Sequence, residues 1–174
     1  MKELKIDKFV NEIENKREID TKQWREFDID KIFNCETAKQ ILKVEDGEFP
    51  YITRSSFNNG LTKFVKKINN KINEKNCITI GAEGLYAFYQ ENEFMAGNKI
   101  YVLRNDKLNK FNALFVCAIL NSIVGEYSYS NARILNKIKL EKHKFPVDNK
   151  GNVDWDYMEN YSKDIYRKFE SVLN

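Results

Sequence analysis

The chain of 174 residues holds a single histidine, His143. Ser-His-Asp catalysis and histidine-based metal sites therefore have little to work with. Proline is almost absent and glycine is scarce, with two and seven residues, so no Pro/Gly-rich linker or low-complexity tract is present. The same scarcity removes the glycine-rich cofactor loop and the Asn/Asp-Pro-Pro-aromatic loop that methyl transfer to a base requires; Pro50 and Pro146 stand in neither context. Only three cysteines occur, Cys35, Cys77 and Cys117, far apart and never as C-x-x-C. A disulfide scaffold is excluded, and they read as reduced core thiols of a cytoplasmic protein. The longest apolar stretch, Ala113 to Val124, is interrupted by Asn121 and Ser122. It is far shorter than the ~20 residues a membrane-spanning helix needs. The first sixteen residues, MKELKIDKFVNEIENK, lack the continuous apolar segment of a signal peptide.

Aromatic residues are plentiful: twelve Phe, nine Tyr and two Trp, enough for one core and incompatible with intrinsic disorder. The formal charge is only +3, but the charges are segregated. Residues 49–144 carry 15 basic against 7 acidic side chains, whereas residues 1–48 and 145–174 are net acidic. A basic middle between acidic ends points to an anionic partner, or to a lysine-rich surface that keeps the chain soluble.

Residues 3–17 place Ile6, Phe9, Val10 and Ile13 on one helical face. Asp46-Gly47 reads as a turn, Tyr51 to Thr53 as a strand, and Asn58-Asn59-Gly60 as a loop in which positive φ is easy. Cys77–Ile80 and Leu85–Tyr89 read as a hairpin, and Ile100–Leu103 as a further strand. Phe111, Leu114, Phe115 and Ala118 mark a buried helix over 110–124. Ile138–Leu140 and Phe145–Val147 read as short extended pieces, and residues 148–152 as a turn. Asp154 is placed to cap a last helix, on which Met158, Tyr161, Ile165, Phe169 and Val172 form a narrow apolar seam. The expected fold class is α+β: a mixed sheet body with one packed helix and a helix at each terminus. The terminal helices are free to pack on the body, on each other or on another chain.

One catalytic pattern is formally present. Asp7 with Glu14-x-Lys16 matches the carboxylate-and-lysine set of a Mg-dependent nuclease. It falls on a helical pattern rather than a strand.

Several strings occur in an informative order: PYITRSSFNNG from Pro50, CITIGAEGLYAFYQENEFMAGNKIYVL from Cys77, GEYSYSNAR from Gly125, and HKFPVDNKGNVDWDYMENY from His143. Together they resemble the target recognition domains of restriction-modification systems, found in type I specificity subunits and in type IIG specificity regions. The resemblance runs from about Trp24 to the end. The resemblance implies three segments: an N-terminal helix (1–22), a target recognition domain (23–150), and the start of a spacer or dimerisation helix (151–174). It implies sequence-specific recognition of double-stranded DNA with no catalysis by this chain. A partner methyltransferase would carry S-adenosylmethionine, a restriction subunit would join in the full system, and the terminal helices would allow self-association. Within it, Arg54, Ser55, Ser56, Asn58 and Asn59, and Tyr127, Tyr129, Asn131 and Arg133, are candidates for base readout, because these groups hydrogen-bond base edges. Lys63, Lys66, Lys67, Lys71, Lys137 and Lys139 are candidates for the phosphate backbone. Met158, Tyr161, Ile165 and Phe169 are candidates for a partner helix. Plain turn chemistry at Asn58-Asn59-Gly60, packing of Tyr127 and Tyr129 at a sheet edge, and a solvated lysine face remain open alternatives. Glu83 is a candidate acceptor for cytosine or simply a hairpin residue, and His143 a surface residue or backbone donor. At the level of function, a single-strand binder, a nuclease and a protein-interaction module are the competing readings.

Overall fold

The computed structural model describes residues 19–83, 86–128 and 130–173. The segment 3–17, with Asp7, Glu14 and Lys16, lies outside the described residues, as does Tyr129. The elements run β1 (Arg25–Asp28), α1 (Ile29–Ile32), β2 (Asn34–Thr37), β3 (Asp46–Ile52), β4 (Leu61–Val65), β5 (Cys77–Gly81), β6 (Ala87–Gln90), β7 (Met95–Ala96), β8 (Ile100–Arg104), α2 (Lys110–Asn121), α3 (Leu135–Leu140), β9 (Lys142–Phe145) and α4 (Trp155–Leu173). The class is α+β.

Strand β5 is the hub. It lies inside an antiparallel sheet of order β2-β8-β5-β6, and all five of its residues are buried. That explains its unbroken apolar run: both faces are covered. Side chains alternate between two cores as the pleat requires. Ile78, Ile80, Tyr101 and Leu103 face the main core, where Ala113, Val116 and Leu120 of α2 cover them. Cys77, Ile100 and Val102 face a second core with Ile52, Phe94 and Ala96. A three-stranded sheet, β4-β3-β7, supplies that second layer, with β3 and β7 parallel. A two-stranded ribbon joins β1 to β9.

The turn expected at Asp46-Gly47 is instead the first part of β3. A Cβ on Gly47 would lie 2.5 Å from the Lys66 nitrogen, so the glycine permits a close backbone approach rather than a turn. Ile138–Leu140 is helical, not extended. The alternating K-I-K-L pattern imitates a strand, but Leu135 and Ile138, three apart, are the positions that turn inward. The second hairpin strand starts at Ala87. The Asn58-Asn59-Gly60 loop is as expected, with φ of 49°, 56° and 77° at three successive residues.

Asn109 caps α2, accepting from the Phe111 and Asn112 nitrogens, while the Asn112 side chain accepts from the Asn109 nitrogen. Asp154 caps α4 through the Tyr157 nitrogen at 2.8 Å. Met158 is fully buried, and the Tyr161 ring meets Phe115 edge-on at 5.3 Å. The first half of α4 is therefore part of the body. Further along, Tyr166 still meets Phe111 of α2 edge-on at 5.7 Å, and beside this contact an open apolar groove of about 790 Å³ is lined by Ile165 and Phe169 of α4, by Leu114, Ala118 and Ile119 of α2, and by Trp24. No helix among the described residues is long and apolar enough to cross a membrane.

Candidate nucleic-acid interface

Loops gather where β5 ends. Gly81 lies so close to the loop after β3 that a Cβ there would be 2.8 Å from the Arg54 Cα. The Ala82 nitrogen donates to the Lys99 carbonyl and its own carbonyl accepts from the Arg133 nitrogen, both at 3.1 Å. The Arg54 side chain passes over Gly81 and pairs with Glu83. Lys99 Nζ lies 3.3 Å from the other Glu83 oxygen. Two cations thus flank one carboxylate, with the Arg54 side chain 33% and the Lys99 side chain 50% exposed. Partial desolvation pushes the Glu83 carboxyl up, but Lys99 and Arg54, through hydrogen bonds and charge, outweigh it and hold the group below its ordinary value. The trio is net positive and open to solvent.

The loop carrying Arg54 is tightly tied. The Ser55 hydroxyl accepts from the Phe57 nitrogen at 3.2 Å. The Gly60 nitrogen donates to the Phe57 carbonyl, and the Thr53 nitrogen to the Gly60 carbonyl, both at 2.9 Å. Asn58 Nδ2 donates to the Leu61 carbonyl at 3.2 Å, and Asn59 Nδ2 to the Tyr89 carbonyl at 2.8 Å. Both asparagines therefore build the turn as their left-handed backbone demands. Ser55 and Ser56 stand half-buried beside Arg54, and Phe57 is 79% exposed. Phe57 was not singled out by the sequence, where it reads as one more phenylalanine.

The second expected cluster divides. Arg133 is fully buried and cannot meet a base in this fold. Its Nε donates to Glu141 Oε1 at 2.8 Å, and its Nη2 to Glu141 Oε2 at 2.6 Å and to the Leu120 carbonyl at 3.0 Å. Tyr127 donates its hydroxyl to Glu141 Oε1 at 2.9 Å, and its ring lies under the Arg133 guanidinium. It is neither a free hydroxyl nor a sheet-edge residue. His143, expected at the surface, is buried with Nε2 3.0 Å from Glu141 Oε2. Glu141 is the residue missed. The signal was there: one acid among five basic residues, with Glu141, His143 and Phe145 all inward and Lys142 and Lys144 outward, a strict alternation into β9. Burial pushes the Glu141 carboxyl up, but hydrogen bonds from Arg133, His143 and Tyr127 and the Arg133 charge hold it below its ordinary value. Asn131 remains on the surface, donating to the Glu126 carbonyl and accepting from Lys137.

The lysines do not form one patch. Lys63 lies opposite Tyr51 in the sheet and pairs weakly at 3.9 Å with Asp46, at the Val65 end of β4. Lys66 and Lys67 stand past the far end of β4, about 16 Å along the strand at 3.3 Å per residue. There Lys66 pairs with Glu45 and Lys67 lies over the Phe49 ring. Lys71, Lys137 and Lys139 are half-buried. Of the four partner-helix residues, Met158 is buried in the body, Tyr161 packs on the body and also lines the groove, and Ile165 and Phe169 line the groove. Phe94 is core, whereas Phe88 stacks on the exposed Tyr86. Among the described residues no three His, Cys, Asp or Glu side chains are grouped to hold a metal ion.

Known proteins resemble this chain in sequence and fold. A family model described as the type I restriction modification DNA specificity domain matches residues 21–174. The specificity subunit S.BcgI of a type II restriction enzyme from Heyndrickxia coagulans is 30% identical over 125 residues, covering 70% of this chain and 36% of that protein. The S subunit of a type I restriction-modification system from M. genitalium superposes with a TM-score of 0.63 at 18% identity, covering 98% of this chain and 49% of that one. The HsdS subunit from Thermoanaerobacter tengcongensis does so with 0.61 at 9% identity, covering 98% and 46%. At such identities the likeness is one of fold. This chain spans half or less of each of these relatives. With the family model matched over residues 21–174, the chain belongs to the family of type I restriction-modification DNA specificity domains.

Proposed function

We propose that this chain reads a short sequence of double-stranded DNA as the specificity part of a restriction-modification system. It directs a partner methyltransferase, and in a full system a restriction subunit, to that sequence in the cytoplasm. The chemistry is the partner's, with S-adenosylmethionine bound there. One observation carries the reading: the Arg54 guanidinium, held over Gly81 in a net-positive, solvent-open trio with Glu83 and Lys99. A guanidinium so fixed is suited to the paired acceptors of guanine in the major groove. Lys99 flanks it for phosphates, and Ser55 and Ser56 offer short polar groups beside it. The groove along Ile165 and Phe169 supports a helix contact with a second copy or with the methyltransferase.

Arg54→Ala is expected to relax preference at one base position, by roughly 1–3 kcal/mol. Lys99→Ala, which removes the lysine beside Arg54, is expected to weaken all sequences alike. Binding measured against a panel of single-base variants of the preferred duplex distinguishes the two. Unchanged preference in Arg54→Ala would remove Arg54 from the readout set.

A further inference from the structure

Phe57 is the most exposed large apolar side chain among the described residues, at 79%. A buried phenylalanine contributes to folding in proportion to the apolar area it hides, and here that contribution is almost wholly forgone. The loop that presents it is nevertheless well ordered by bonds. Ser55 Oγ accepts from the Phe57 nitrogen, the Phe57 carbonyl accepts from the Gly60 nitrogen, and Asn59 ties the loop to β6 through the Tyr89 carbonyl. Gly60 lies against Ile52 and Phe88, so the base of the loop is seated on the sheet. A rigid polar loop thus holds one aromatic ring out in water, three residues from Arg54.

We infer that Phe57 is a wedge that enters a base step of duplex DNA beside the position Arg54 reads. The inference rests on the DNA-reading function proposed above. Apolar side chains inserted at a base step partly unstack it and bend the duplex. Pyrimidine–purine steps unstack most readily, so the wedge selects a flexible step, such as TA or CA, without hydrogen-bonding its bases. A loop already fixed by its own hydrogen bonds loses little conformational freedom on docking, which favours a rigid wedge over a mobile one. Arg54, Ser55 and Ser56 then lie on the adjoining bases or phosphates.

The test uses the full chain and a fluorescein-labelled pool of randomised duplexes at low salt. Phe57→Ala is expected to bind about tenfold more weakly, as loss of one aromatic–base stack implies, and its selected motif is expected to lose preference at one dinucleotide step. Its circular dichroism and urea midpoint should match the wild type, because the ring packs on almost nothing. Phe57→Trp is expected to bind normally, with the added indole emission quenched on addition of duplex; Trp24 and Trp155 give the background in the wild type. Binding and motif unchanged in Phe57→Ala, with Phe57→Trp emission indifferent to duplex, would overturn the wedge and leave DNA reading intact. Failure of the wild type to bind any duplex would overturn the reading beneath it and the wedge with it.

Discussion

Replacing Glu141 with alanine strands the Arg133 guanidinium. Arg133 and Glu141 are 0% and 4% exposed at their side chains, and two guanidinium nitrogens reach the carboxylate at 2.8 and 2.6 Å. Without the acid, Arg133 keeps the Leu120 carbonyl, while Tyr127 loses its partner Oε1 and His143 its partner Oε2. Removing one member of a buried pair costs roughly 3–5 kcal/mol, because an uncompensated charge remains inside. Against the roughly 5–15 kcal/mol typical of a domain, that is a large fraction. With a urea slope of about 2 kcal/mol per molar, the midpoint should fall by about 2 M. The double variant Arg133→Met with Glu141→Leu should recover part of the loss, since it removes both charges; recovery is incomplete because Tyr127 and His143 still lack an acceptor. The pH dependence has a fixed sign. The folded carboxyl is held below its ordinary value. Its stabilisation is therefore present in full above the ordinary carboxylate range, near pH 4.3, and is lost as pH falls through that value and the lower folded one. Glu83, Asp148 and Glu159 are also held low, so the contribution of Glu141 is the difference between the wild type and Glu141→Gln, which should lose the corresponding acid sensitivity. Urea melts at several pH values give both results. A loss below about 1 kcal/mol in Glu141→Ala, the level of a surface pair, would refute the buried clamp.

Gly81→Ala puts a methyl group 2.8 Å from the Arg54 Cα, so the backbone must shift. A loss of about 1–3 kcal/mol is expected by denaturation, with weaker duplex binding, and wild-type stability would contradict the close approach. Met158→Ala opens a cavity in the main core, where Met158 is fully buried. About 2–5 kcal/mol should be lost in the same melts; a near-neutral result would mean that α4 is not docked on the body. Burial pushes the thiols of Cys35, Cys77 and Cys117 up to about 11, 12 and 12. All three should resist a disulfide reagent at pH 8 until the chain is unfolded, and reaction of the native protein within minutes would argue against their placement.

Local patterns carried most of the fold. The hairpin at Cys77, the strand at Ile100, the helix over Phe111–Ala118 and the helix capped by Asp154 are legible because their period or cap is a property of neighbouring residues. What failed was non-local. Gly47 looks like a turn glycine until β4 is known to press on it. K-I-K-L alternates like a strand, yet α3 forms because Leu135 and Ile138 share a core contact. Arg133 and His143 sit in a basic segment that invites an anionic ligand. Glu141, two residues from the histidine, satisfies both from inside. Of the candidate interface, the sequence offers only the polar string around Arg54. Its rigidity and its pairing with Glu83 and Lys99 depend on three loops meeting at Gly81, which no spacing encodes.

The central claim is that the chain reads duplex DNA. Fluorescence anisotropy of a randomised duplex pool with the purified chain, at low and moderate salt, followed by sequencing of the retained fraction, tests it most directly. Binding that weakens steeply with salt, through counterion release from phosphate contacts, together with enrichment of one short motif, is the predicted result. No binding at low salt would contradict the account and leave the basic middle as a solvated surface.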